Sequence, residues 1–409
     1  MGADYLMNLF NDFSGDELLL NPYPAYRQLL ESGGVLHDET NNRIYLGRYD
    51  DVRAVLGNAT QFLSSNNGLN QTMLGSGGSS HSRLRSVLQP AFQPGVLARE
   101  LTRLNELTDM HARNLSQMSE PCDFVDAFAA RIPTMVLSWM FGDEKDRCND
   151  YGNWSWALKK SPATEDDQGK QCVSQEYLPG SEQQHPVTRE QLIDECKAYL
   201  DETFQNALES STSGWVARIL IDAYRDGRVV YQDLIETGLL LMVGAHETTT
   251  KSLTNAMVIL AGRQDIWERV REDEDLVKPF IEEVFRFDPP VQRRPRLAVE
   301  DVRIGGLEIT AGTHVVALIA AANRDPGVFE DADEFLLNRE RNPHVSFGFG
   351  PHVCLGMQLA RIEMISSINS LRRHIGSFRQ VRKLTADDYR DVLSLRSPKQ
   401  LWLELTHQD

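Results

Sequence analysis

The chain has 409 residues, with 42 Lys plus Arg against 59 Asp plus Glu, and a net charge of −17 at pH 7. This acidic balance argues against nucleic acid and anionic membranes as general partners. No apolar run approaches the ~18 residues that span a bilayer, and the N-terminus lacks the basic start of a signal peptide, so we expect no membrane anchor. Five cysteines without framework spacing are typical of free thiols in the cytoplasm.

Short elements are predicted in the first part of the chain. The run Asn21-Pro-Tyr-Pro-Ala-Tyr predicts a helix entered through prolines, and residues 35–46 contain strand-like material. His81 and Arg85 are four residues apart, so both project from one face of a helix. Two cationic donors so placed suit a carboxylate, and a solvated basic face is the alternative.

A long irregular stretch follows, at residues 153–186. It begins with a short helical piece and continues as a polar segment in which glycine and proline break any periodicity. A loop of this length in a compact domain is usually functional or disordered. We expect a variable lid or insertion here.

The longest helical pattern runs roughly from Tyr231 to Ala261 and contains the unusual segment Gly244-Ala-His-Glu-Thr-Thr-Thr250. Glycine and consecutive threonines weaken a helix, and a threonine hydroxyl can bond back to the carbonyl four residues earlier. Glu247 within this segment fits an ordinary salt bridge between helices.

The next region combines a charged helix with extended chain. Glu283 and Arg286 share a helix face, which by itself predicts an ordinary salt bridge. Pro289-Pro290 ends that helix, so residues 291–297 should be extended. Residues 302–316 read as two strands joined by a Gly-Gly turn.

The most informative stretch is Ser346-Phe-Gly-Phe-Gly-Pro-His-Val-Cys-Leu-Gly-Met-Gln-Leu-Ala-Arg361, with Cys354 among glycines just before a helical run. A thiolate at a helix N-terminus is stabilised by free N–H groups, and glycines let the backbone approach something flat and bulky. A buried structural thiol is the common alternative. A zinc or iron–sulfur site would need several clustered ligands, and His352 is the only support for a Cys/His protease.

This stretch resembles the haem-binding signature of the cytochrome P450 family at every fixed position. The resemblance implies a mainly α fold with minor β, in which a triangular helical domain carries small β-sheets and residues 1–409 form a single domain. It also implies haem b as cofactor, with Cys354 as the axial ligand of the haem iron. The lack of an anchor or fused reductase resembles the soluble bacterial members.

The resemblance assigns roles to individual residues. Glu247 and Thr248 become the acid and alcohol of proton delivery, although Gly244-Ala245 stands where the family usually has Ala-Gly. The expected cofactor contacts are Cys354, His81, Arg85, Arg296, His344, His352, Phe347, Gly348 and Ala245. The expected structural network that holds the cysteine loop is Glu283, Arg286 and Arg339. The expected substrate pocket includes Val291, Gln292, Arg293, Leu241 and Leu395.

The implied function is a haem-thiolate monooxygenase that activates O2 to oxidise a small, largely apolar organic substrate, in secondary or specialised metabolism. Arg293 and Arg294 could bind a substrate carboxylate, and ordinary surface arginines are the alternative. Electrons would come from NAD(P)H through a ferredoxin or flavodoxin with its reductase, docking on a basic patch formed by Arg83, Arg99, Arg103 and Arg361. The alternatives are peroxide-driven or atypical chemistry, such as desaturation or ring coupling, and a non-catalytic haem-thiolate sensor.

Overall fold

The computed structural model describes residues 15–64, 78–145, 147–159, 188–210, 213–389 and 395–407. Of the lid expected at 153–186, residues 153–159 form the end of a helix, and the remainder lies outside the described residues.

Most of the described chain is helical, as the sequence predicts. The helices are α1 Asp16–Leu20, α2 Tyr23–Glu31, α3 Tyr49–Gly57, α4 Gly78–Leu88, α5 Pro94–Leu97, α6 Leu101–Ser116, α7 Arg131–Phe141, α8 Cys148–Lys159, α9 Arg189–Glu209, α10 Trp215–Arg225, α11 Tyr231–Gly244, α12 Glu247–Gly262, α13 Gln264–Glu272, α14 Val277–Phe287, α15 Ile319–Ala322 and α16 Met357–His374. Among these helices, none is long and apolar enough to cross a membrane.

The strands form three small sheets. Their bounds are β1 Val35–Asp38, β2 Arg43–Leu46, β3 Phe62–Ser64, β4 Cys122–Asp123, β5 Arg294–Ala298, β6 Val302–Ile304, β7 Leu307–Ile309, β8 His314–Ala317, β9 Ile375–Gln380 and β10 Trp402–His407. The largest sheet has the order β1-β2-β8-β5-β3, in which only β2 and β8 run parallel. The second sheet is β4-β10-β9, and β6 and β7 form the hairpin predicted from the Gly-Gly turn.

The helix predicted from 231 to 261 is interrupted, because α11 ends at Gly244 and α12 begins at Glu247. The Thr248 hydroxyl donates to the carbonyl of Gly244 at 3.1 Å, and the Thr250 hydroxyl donates to that of His246 at 3.0 Å. These are the back-bonds expected of threonine in this segment. The break therefore follows from the local sequence.

The main apolar core is formed where the helices pack together. It buries Phe124 and Phe128 near α7, Met257 of α12, Phe280 of α14 and Met364 of α16. A second apolar cluster lies under the large sheet. Packing of α16 against α6, α12 and α14 fixes the helix that follows Cys354, so the cysteine loop is attached to the rigid part of the molecule.

Candidate active site

Cys354 lies at the end of a tight loop that leads into α16. Its backbone N–H donates to the carbonyl of Phe347 at 2.8 Å, which closes the loop. Gly348 and Gly350 have φ values of +77° and +74°, a conformation that favours glycine. A Cβ on Gly350 would lie 2.6 Å from the Cα of Gly57, so the loop also depends on close backbone contact with α3.

The Cys354 side chain is accessible to solvent, yet protein surrounds its sulfur. Both observations hold for a side chain that lies at the wall of an internal recess. Burial raises the pKa of the thiol, whereas the Gly356 N–H, which donates to the sulfur, and the positive charges of Arg294, Arg85 and Arg361 lower it. Burial is the larger effect, so the pKa of the thiol stays above its ordinary value, and these donors and charges offset part of the rise. They are the groups that would stabilise the thiolate, the form of cysteine that binds metals.

Two histidines from distant parts of the chain meet beside this loop. The rings of His81 and His352 are 4.1 Å apart between centroids. Burial, together with the nearby His81, Arg296 and Arg85, lowers the pKa of His352 to about 4. Burial and Arg85 also lower the pKa of His81. The structure thus brings together four residues that the sequence assigned to the cofactor, namely His81, Arg85, Arg296 and His352.

Strand β5 contributes a second arginine, Arg294, to the recess beside Arg296. Arg294 and Arg296 are two residues apart on a strand, so they share a face. Burial, and then the charge of Arg294, lower the pKa of Arg296 to about 10. Burial also lowers the pKa of Arg294, and the interaction with Cys354 opposes this shift. The alternation along β5 could have revealed Arg294 as a residue of the recess.

His344 does not take the place expected from the sequence. Its Nε2 lies 3.2 Å from Glu282, and its Nδ1 accepts a hydrogen bond from the backbone N–H of Ser346 at 3.4 Å. Burial raises the pKa of Glu282, but hydrogen bonds from Arg361 and His344 outweigh it and hold that pKa at about 2. His344 is therefore part of a pair between α14 and the cysteine loop, and both ring nitrogens are engaged away from the cofactor.

Two of the expected pocket residues face away from the recess. The Gln292 amide donates to the carbonyl of Pro289 at 2.7 Å and lies 3.5 Å from the hydroxyl of Tyr23. Arg293 lies near Tyr26 and other groups of the neighbouring sheet, and burial lowers its pKa. The assignment of both to the pocket is corrected, because Gln292 packs against α2 and Arg293 lies on the opposite face of the chain from Arg294.

The remaining expected pocket residues are buried and apolar. Val291 forms a single β-bridge with Leu395, so two distant segments meet there. Leu241 is buried on α11, one turn before the helix break, and the half-buried Ala245 lies within the break. Their contribution to a substrate pocket stays a prediction.

The three residues expected to brace the cysteine loop form one buried network. Arg286 donates to both carboxylate oxygens of Glu283, at 2.7 and 2.8 Å, and Arg339 lies 3.2 Å from the same carboxylate. The Glu283 and Arg286 side chains are 1% and 0% exposed. Arg286 also donates to the carbonyls of Asn323 and Ala332, which ties α14 to the segment preceding the loop.

Glu247 begins α12, and the structure places two groups against its carboxylate. Lys251 Nζ lies 3.5 Å from Oε1, and the Ser155 hydroxyl on α8 lies 3.4 Å from Oε2. Thr248 follows it directly in the chain. Lys251 was missed in the sequence, although its spacing of four residues from Glu247 is the usual signal of a helical ion pair.

Comparison with known proteins decides the family. Residues 35–374 match the model of the family described as Cytochrome P450. The chain belongs to the cytochrome P450 family. Cytochrome P450 109 of Bacillus spizizenii is 30% identical over 86% of this chain and 84% of its own length. Nocardicin C N-oxygenase of Nocardia uniformis subsp. tsuyamanensis is 29% identical, over 95% of this chain and 96% of its own.

The structural comparison agrees with this family assignment. The structure of CYP109B1 from Bacillus subtilis matches with a TM-score of 0.77 and 26% identity, covering 94% of this chain and 100% of that protein. The expected fold is therefore confirmed, and the chain is a P450 monooxygenase.

P450 enzymes use haem b, and the residues of the recess fit this cofactor. One thiol, a soft ligand of the kind that iron binds, faces the recess. Five basic side chains surround it: His81, Arg85, Arg294, Arg296 and His352. In the part of the chain that the structure describes, none of the five forms an ion pair with an acidic side chain. Haem carries two carboxylates, which would balance this positive charge.

The basic patch expected to dock the electron donor of this P450 is largely neutralised. Arg83, Arg103 and Arg361 are each paired with an acidic side chain, whereas Arg99 is exposed. Their partners are Asp233, Glu144 and Glu282, respectively. The structure therefore does not support a continuous basic surface made of these four arginines.

Proposed function

We propose that this P450 inserts one oxygen atom of O2 into a small, largely apolar organic substrate that carries a carboxylate. The observation that carries the proposal is the convergence of Cys354 and the basic side chains on one recess. Relatives named for nocardicin C and mycinamicin IV support a role in secondary or specialised metabolism. The free thiols Cys122 and Cys196 support a cytoplasmic location.

The overall reaction balances with two electrons and two protons. One oxygen atom replaces a C–H bond of the substrate with C–OH, and the other leaves as water. Bound haem supplies dioxygen activation, and the electrons come from NAD(P)H through a ferredoxin or flavodoxin with its reductase. Glu247 takes up protons from solvent and transfers them toward the recess, and the Thr248 hydroxyl donates them there by hydrogen bonding.

The residues of the recess would hold the haem cofactor and the substrate. Cys354 would hold the iron of bound haem, and Arg85 and Arg296 would neutralise its carboxylates. Val291 and Leu395 present apolar surface, which excludes water from the reacting carbon. Thr248 belongs to the open groove at the α11–α12 break, where the backbone of Gly244 is exposed.

Arg294 is the residue we assign to the substrate carboxylate. It faces the recess, unlike Arg293, and no hydrogen-bond acceptor for its guanidinium is found among the described residues. A buried guanidinium without an acceptor is costly, and a carboxylate forms two parallel hydrogen bonds with it. Two haem carboxylates already have four other basic partners, which leaves Arg294 for a third anion.

The cofactor is tested by reducing the purified protein under carbon monoxide. Wild-type protein should give the absorbance of a thiolate-ligated haem, and Cys354→Ser should lose it, because a serine hydroxyl does not replace the thiolate. Cys122→Ser is the matched control and should keep the spectrum. Retention of the thiolate spectrum in Cys354→Ser would refute the assignment.

The substrate class is tested by titrating dodecanoate and its uncharged methyl ester into the haem-loaded protein and recording the low-to-high-spin shift. Dodecanoate should bind at least about tenfold more tightly, and Arg294→Gln should remove that preference, since a charge-assisted pair contributes about 1.5–3 kcal/mol. Arg293→Gln is the control. Equal affinities for the acid and the ester in wild-type protein would refute the carboxylate.

A further inference from the structure

Lys251 is a charged residue in an unusual place. Its side chain is only 8% exposed, inside the helix that carries the proposed proton-delivery residues. Taking an ammonium group out of water costs several kcal/mol unless a partner compensates it. Even a paired charge adds little net stability compared with an apolar side chain of similar size. Stability alone therefore gives no reason for lysine at this position.

The carboxylate of Glu247 is held from two directions. Lys251 on the same helix is 3.5 Å from one oxygen, and Ser155 on α8 is 3.4 Å from the other. Ser155 is itself buried. Rotation of the Glu247 side chain would break at least one of these contacts, so the pair restricts the carboxylate to one orientation.

The same arrangement favours the ionised carboxylate. Glu247 is the first residue of α12, where free N–H groups and the helix dipole stabilise negative charge. Lys251 lies one turn later, and a Glu followed by a Lys four residues on is the favourable orientation for such pairs. An ionised acid can take up a proton from solvent, and Thr248 is the next residue in the chain.

We propose that Lys251 is a positioning residue, which holds the Glu247 carboxylate in the orientation that delivers protons to the recess. The inference rests on the proposed function of Glu247 and Thr248. Lys251 acts through Glu247 and need not touch substrate or haem. Its loss should therefore change how efficiently consumed oxygen is converted to product, while substrate binding and haem binding stay the same.

The experiment compares Lys251→Met, Lys251→Arg, Glu247→Gln and the Glu247→Gln/Lys251→Met double variant as haem-loaded proteins. A surrogate ferredoxin and its reductase supply electrons, with dodecanoate as probe and also without it. The readouts are the fraction of consumed oxygen released as hydrogen peroxide and the solvent isotope effect in D2O. Lys278→Met, at an exposed lysine of α14, is the matched control.

Lys251→Met should raise the peroxide fraction several-fold and increase the isotope effect, with haem content and the dodecanoate spin shift unchanged. Lys251→Arg should restore wild-type values, because it keeps the charge. The double variant should match Glu247→Gln, since Lys251 acts through that side chain. If Lys251→Met fails to take up haem, Lys251→Gln supplies the neutral variant.

The other outcomes separate two failures. If Glu247→Gln itself leaves the peroxide fraction unchanged, the proposed proton role of Glu247 is refuted. If Glu247→Gln raises it but the neutral Lys251 variants do not, the proton role stands and the positioning role is overturned. A double variant that is clearly worse than Glu247→Gln would also overturn it, because Lys251 would then act independently.

Discussion

Glu363 is a single buried acid with a large effect expected on stability. It lies on α16 and is 1% exposed, and neither carboxyl oxygen has a hydrogen-bond partner among the described residues. Burial raises its pKa from 4.5 to about 8, and the nearby Thr249 hydroxyl lowers it by less. Burial is the dominant effect, because no regular hydrogen bond compensates the carboxyl oxygens among the described residues.

The raised pKa of Glu363 predicts that stability falls as pH rises. Between about pH 4.5 and 8 the folded state keeps the proton and the unfolded state loses it, so unfolding releases a proton and becomes easier with increasing pH. Above about pH 8 the full loss has accumulated, on the order of a few kcal/mol. Glu363→Gln removes the titration and should be more stable than wild type at pH 8, with the difference shrinking toward about pH 5.

Thermal unfolding of the haem-loaded protein across this pH range measures the effect. Glu268→Gln, at an exposed position of α13, is the control and should follow wild type. Parallel pH profiles for wild type and Glu363→Gln would show that the Glu363 pKa is not raised in the folded protein.

At the level of elements, the helix α14 is anchored by its buried arginine. Arg286 links the Glu283 carboxylate to the carbonyls of three residues that precede the cysteine loop. The same pair would be a weak surface salt bridge on an isolated helix. Burial changes its importance, because removal of either partner leaves a charge without compensation in the interior.

Arg286→Leu should therefore destabilise the protein by roughly 3–5 kcal/mol and reduce the haem content of the purified protein. Denaturant unfolding and the ratio of haem absorbance to protein absorbance measure the two effects. Arg379→Leu removes one member of an exposed pair with Glu404 and should have little effect on either. A loss of stability no larger than that of the control would contradict the bracing role.

At the level of the whole molecule, the recess collects positive charge within a strongly acidic protein. Its basic side chains come from α4, β5 and the cysteine loop, which are more than 200 residues apart at the extremes. Mutual repulsion lowers the pKa of His352 and of Arg296, in addition to burial. Binding of a dianionic cofactor removes this repulsion, so cofactor binding and assembly of the recess should stabilise each other.

Arg296→Gln should therefore release haem faster than wild type, by about tenfold or more if it removes one charge-assisted hydrogen bond of about 1.5–3 kcal/mol. The rate is measured by transfer of haem to excess apomyoglobin. Arg293→Gln changes a neighbouring arginine that faces away from the recess and should leave the rate unchanged. Equal release rates for Arg296→Gln and wild type would show that Arg296 does not hold the cofactor.

The sequence by itself determined the parts of this protein that depend on local chemistry. The glycines around Cys354 fix the loop, the threonines after Gly244 explain the helix break, and the Gly-Gly turn specifies the β6–β7 hairpin. In each case the backbone conformation follows from a few adjacent residues. The family resemblance added the long-range association of His81, Arg85 and Arg296.

Only the tertiary structure decided which face of the chain meets which partner. Arg293 and Arg294 are adjacent and chemically identical, yet only Arg294 faces the recess, because side chains alternate across a strand and the sheet fixes the register. His344 pairs with Glu282 through the packing of α14 against the cysteine loop. The proposed role of Cys354 as the cofactor ligand depends on the fold for the same reason, since its charged surroundings come from segments that only the fold brings together.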